Sequence, residues 1–146
     1  IEAAFDAAIP EEPPTPIPEA KSTLEPGENV VLEGRVMGVP APFVDGRAVF
    51  VLGDTGTITP CSELPDDQCA TPWDACCDPN EVRQAGTATI QILDANGHIV
   101  KQGLEGVHGL DKLAHVRLAG TLASDSSPRA LIVNASAIQT RKRAGD

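Results

Sequence analysis

The sequence predicts an all-β domain, a small closed or partly open antiparallel barrel, with a β-sandwich as the alternative. Three observations carry this reading. Five or six short segments alternate apolar and polar residues at the period of a strand, and hardly any stretch holds a helical period. These segments end in clusters of Gly, Pro, Asn and Asp, which are turn chemistry. A sheet this small must also close on itself or cover its edges. The 146 residues allow one domain. With 41% hydrophobic residues but one Trp, three Phe and no Tyr, its core is expected to be small and aliphatic.

Along the chain, residues 1–28 carry six prolines and seven acids against a single lysine. They are expected to form a disordered acidic leader. The PPTPIP run favours polyproline II and reads as a spacer, because no basic anchor flanks it. Ordered structure is expected from Asn29, in a domain spanning 29–140. VVLEGRVM at 30–37 is the first strand, with Gly34 marking a bend or bulge. RAVFVLG at 47–53 is the second strand, and an irregular insertion follows over 58–85. GTATIQIL at 86–93 is a half-buried strand, with Ala88, Ile90 and Ile92 on one face and Thr87, Thr89 and Gln91 on the other. The turn at 94–97 contains Asn-Gly and is expected to return HIVKQ at 98–102 as the antiparallel arm of a hairpin. Residues 103–114 allow one helical turn at 110–113. Strands at 116–122 and 130–138 complete the set, and residues 141–146 are expected to be a frayed basic tail.

The segments VVLEGRVMG (30–38), ATIQILDANGHIV (88–100) and GLDKLAHVRLAGTL (109–122) resemble, in that order, the small bacterial OB-fold domains of secreted proteins and lipoproteins. The resemblance covers residues 30–139. The chain departs from it in the strand at 47–53 and in the insertion that follows. The resemblance implies a binding surface across the second and third strands, which here would carry Thr89, Gln91, His98 and Lys101 without stacking aromatics. Function does not transfer with such a fold.

The insertion holds all the cysteines, Cys61, Cys69, Cys76 and Cys77. Their clustering in a loop that cannot pack alone points to two disulfides and an oxidising compartment. A 76–77 bridge is disfavoured by geometry, which leaves 61–76 with 69–77 or 61–77 with 69–76. Gaps of seven, six and zero residues fit zinc or an iron–sulfur cluster poorly, so metal binding or redox chemistry is the alternative. The acids Glu63, Asp66, Asp67, Asp74, Asp78 and Glu81 read as a solvated loop, since no EF-hand loop is present. Trp73 is expected to plug the open edge of the barrel, with ligand stacking as the alternative.

Catalysis is not expected, because no hydrolase, phosphate-loop or zinc-protease motif occurs. Among the histidines, His98 and His115 read as surface and strand residues. His108, between glycines in GVHGL, is the one candidate for function. A formal charge of -10 and the scarcity of aromatics disfavour nucleic acid. The expectation is therefore a non-catalytic, extracytoplasmic binding or structural domain: secreted, periplasmic or tethered by an anchor upstream of residue 1. Its candidate surface contains Trp73, Asp74, Asp78 and His108. A protein is the expected partner and no cofactor is expected. An oligonucleotide-binding OB domain is the third reading.

Overall fold

A computed structural model describes residues 2–39, 41–58, 80–127 and 130–141. Five strands close into a barrel in the order β1-β2-β3-β5-β4. They are β1 (Asn29–Val36), β2 (Val49–Gly53), β3 (Thr87–Gln91), β4 (His115–Leu122) and β5 (Leu131–Arg141). Closure excludes the sandwich. It also makes the barrel mixed, because β3 runs parallel to β5 while every other pair is antiparallel. Inward-facing Leu32, Phe50, Leu52, Ile90, Leu118 and Val133 are fully buried and fill the lumen with aliphatic volume and one ring.

Closure depends on two close backbone crossings. A Cβ at Gly34 would lie 2.2 Å from the Gly53 carbonyl oxygen, where β1 passes from β4 alone to pairing with β2 as well. A Cβ at Gly120 would lie 2.2 Å from the Asn134 oxygen. The register between β4 and β5 shifts between Ala119 and Gly120, so the irregularity expected near Gly34 falls in β4 instead.

Residues 1–28 differ most from expectation. They carry α1 (Glu2–Asp6) and α2 (Ile17–Thr23), both packed on the barrel. In α2, Pro18 sits in the first turn, where its missing N–H costs nothing. Glu19 in the first turn and Lys21 in the last complement the helix dipole. Ile17, Ala20 and Lys21 are buried and Leu24 packs against the core, the i, i+3, i+4, i+7 stripe of a core-facing helix. The Lys21 ammonium donates to the Gln84 carbonyl at the end of α3 (Asn80–Ala85), a helix within the stretch expected to be irregular. Burial lowers the Lys21 pKa from the ordinary lysine value.

Between the two helices, residues 13–16 run Pro-Pro-Thr-Pro, so Thr15 offers their single backbone N–H, and it donates to the Val31 carbonyl at 2.8 Å. This segment therefore covers an edge of β1 that neither β4 nor β2 uses. It is polyproline-rich, as expected, but attached.

The expected 94–97 turn forms and the chain returns antiparallel, but the hairpin is short: Leu93 bridges Ile99, flanked by bonds from the Asp94 N–H to the His98 carbonyl and from the Val100 N–H to the Ile92 carbonyl. The 98–102 arm is consequently not a strand. No helix forms at 110–113; Leu104 and Leu110 are instead fully buried in the core from the connector between β3 and β4. No described helix is long and apolar enough to cross a membrane.

The disulfide expectation is corrected: no Sγ–Sγ contact at disulfide distance is found in the structure. Cys61, Cys69, Cys76 and Cys77 lie outside the described residues, as do Trp73, Asp74, Asp78 and the 142–146 part of the basic tail. The barrel closes through its hydrogen-bonded ladders.

Candidate binding surfaces

Two outer faces of the barrel can be compared. The first lies over β2, β3 and β5. Strand alternation turns Val49 and Val51 of β2, Thr89 and Gln91 of β3, and Ile132 and Asn134 of β5 outward, all half-buried. Register places them in two rows, Val49–Gln91–Asn134 and Val51–Thr89–Ile132. Phe43 bridges to Phe50, and the Val44 amide donates to the Val49 carbonyl at 3.3 Å, which extends the first row to Val44. At 42% exposure, Val44 is the most exposed large hydrophobic side chain among the described residues. The Gln91 Nε2 donates to the Asn134 Oδ1 at 2.6 Å, which ties β3 to β5 across the first row. No position in these rows is charged or aromatic; Phe43 and Phe50 pack into the core and Phe5 lies in α1.

Beyond the end of this face, Arg47, His98 and Lys101 line an open groove of about 780 Å³ together with Asp94. The Asp94 carboxylate accepts the backbone N–H groups of Asn96 at 2.8 Å and His98 at 3.0 Å. The His98 amide is the largest cause holding the Asp94 carboxyl below its ordinary pKa. A depressed folded-state pKa means that the turn gains stability above the ordinary carboxylate value and loses it as pH falls through the lowered value. Amide exchange at Asn96 and His98 should therefore stay slow until pH drops below the usual carboxylate range, and Asp94→Ala should remove that protection at every pH.

The second face lies over β1, β4 and β5 and is covered by the chain's own residues 2–14, a strap. Ile9 packs on a patch of Val31, Ala119 and Ala137. The Arg117 guanidinium donates to the carbonyls of Pro10 at 3.1 Å and Glu12 at 2.6 Å, and to the Glu33 carboxylate at 3.1 Å. Beside it, Glu33, His115, Arg117 and Gln139 line a cavity of about 380 Å³.

His108, the expected functional histidine, lies in the β3–β4 connector and packs against this strap. Its ring stacks on Phe5 with centroids 4.7 Å apart, and its carbonyl accepts the Thr140 hydroxyl at 2.6 Å. Its φ of 50° lies in the left-handed region, which His tolerates better than most residues, between Gly106 and Gly109 at 83° and 81°. The structure thus sets the three histidines apart: His98 on a turn, His108 under α1 and His115 on β4. Among the described residues, no group of three or more His, Cys, Asp or Glu could hold a metal ion. Sequence reasoning missed Arg117, Val51 and Ile132, whose only signal was the alternation of their strands, and Arg47, which lies in the bend before β2.

Comparison with protein-family models, curated proteins and solved structures finds no match to the chain.

Proposed function

We propose that the chain is a non-catalytic binding module of the OB type whose β2-β3-β5 face docks a protein surface. The OB reading is supported by the strand order and by the single parallel pair, β3 with β5, that completes the barrel. The observation that carries the binding proposal is the uncharged outer face itself. In a chain with 21 acidic and 11 basic side chains, the seven positions from Val44 to Ile132 in its two rows hold aliphatic, hydroxyl and amide groups only. Charge depletion at the centre of a surface, with charges at the rim, is the composition of a protein interface. Arg47, His98 and Lys101 supply the rim at one end.

The same face disfavours oligonucleotides. A nucleic-acid surface needs cations for phosphates and rings for bases, and this one carries neither in its two rows. The scattered placement of the histidines supports a non-catalytic role, since general acid–base chemistry needs groups that converge on one proton.

The experiment is photo-crosslinking with a benzophenone side chain at Val51, at Thr89 and, as a control, at Glu25, an exposed position in the connector between α2 and β1, followed by mass-spectrometric identification of the adducts. Positions 51 and 89 should capture one and the same protein, and position 25 should not. Thr89→Lys should then weaken binding of that purified protein at least tenfold, as expected for an unpaired charge placed in an interface. Adducts to nucleic acid, equal capture at Glu25, or a Thr89→Lys chain that binds normally would overturn the proposal.

A further inference from the structure

We propose that the outer β1-β4-β5 face is a peptide groove shared between copies of this chain, in which the strap of one copy can seat on the barrel of a second to give a strap-exchanged dimer. The groove's specificity can be read from its occupant. An aliphatic side chain, Ile9, rests on the shallow patch made by Val31, Ala119 and Ala137, and Pro10 follows it. Small residues on β4 and β5 leave room there for a side chain laid across the strands. Arg117 then grips two main-chain carbonyls, those of Pro10 and Glu12. Backbone contacts of this kind fix an extended path but cannot distinguish the chain's own strap from an identical one.

Charge favours the same kind of occupant. Residues 1–20 carry five acids and no lysine or arginine, and the cation that meets them on this face is Arg117, which Glu33 of β1 holds in place. A second copy supplies a segment of matching charge and known fit. The join between strap and barrel also permits exchange: residues 13–16, held on β1 by the Thr15 N–H, contain three prolines that keep this stretch extended, so a released strap projects away from its own barrel. Exchange of an identical segment conserves every contact, so it is a low-cost route to a dimer.

The test uses the full chain. Light scattering after size-exclusion chromatography, over a series of concentrations, should show a dimer fraction that rises with concentration. It should fall at least fivefold in Arg117→Ala and in Ile9→Asp, two variants on opposite partners of the groove. Thermal unfolding of each variant separates loss of exchange from loss of fold. A benzophenone at position 9 supplies the second readout. Its adducts should map to β1, β4 or β5, and a fraction should have twice the chain mass and join two differently tagged copies. A chain that stays monomeric at every concentration, adducts that are solely intramolecular, or a dimer unaffected by both substitutions in folded protein would overturn the proposal.

Discussion

Gly34→Ala is expected to destabilise the chain by about 3 kcal/mol or more, because the added methyl meets backbone and not a side chain that can rotate away. The new Cβ would stand 2.2 Å from the Gly53 oxygen and 3.1 Å from its carbonyl carbon. Gly53 cannot yield freely, since it pairs with Arg35 on one side and Thr87 on the other. To make room, β1 and β2 must separate at the two register pairs that join them, Arg35 with Gly53 and Val36 with Leu52. That is the seam on which closure rests. Denaturant unfolding checks the expectation against Gly97→Ala, where φ is 81° and nothing lies within 4 Å. There the cost is only that of a left-handed alanine, about 1 kcal/mol. Equal losses in the two variants would show that the seam is not where closure is decided.

Ile17→Ala is expected to cost about 2–5 kcal/mol, the range for truncating a fully buried aliphatic side chain. Ile17 is 1% exposed and belongs to the main core cluster with Leu32, Phe50 and Leu118. Were residues 1–28 a solvated tether, the same substitution would fall within about 0.5 kcal/mol of the parent. Thermal or chemical unfolding therefore decides whether α2 is part of the barrel's core or an accessory to it. A cost below 1 kcal/mol would remove α2 from the core.

The strands β1, β4 and β5 were legible in the sequence because each carries its own period-two pattern, and β1 begins at the expected Asn29. The Asp94 turn was legible for a similar reason, since an Asx turn is decided by four consecutive residues. What failed was pairing. The Asn-Gly signal describes a local hairpin, and a short one forms just past β3, but β3 itself lies between β2 and β5, and no local pattern encodes a parallel partner more than forty residues away. The helix α2 was hidden because its stripe of 17, 20, 21 and 24 is only two turns long and ends in a lysine-bearing, proline-dense stretch. Composition argued for disorder where packing decided otherwise.

The sites divide in the same way. Thr89 and Gln91 lie on the outer face because alternation alone places them there. Arg117 drew no notice in the sequence, since the carbonyls it holds are 107 and 105 residues away in the chain. His108 drew notice for its flanking glycines. Those glycines serve a loop in which the histidine itself takes a left-handed conformation and stacks under Phe5.

The Pro-Pro-Thr-Pro segment along β1 has one more consequence, for growth of the sheet. An open strand edge is a template on which another molecule can add, and then another, until a fibril results. A backbone with three of its four donors missing can occupy that edge yet offers almost nothing for a further strand to bond. It terminates the ladder on both sides at once, satisfying Val31 and presenting a face to which no neighbour can register. The proline density that made these residues look unstructured is thus what lets them act as a stop against polymerisation.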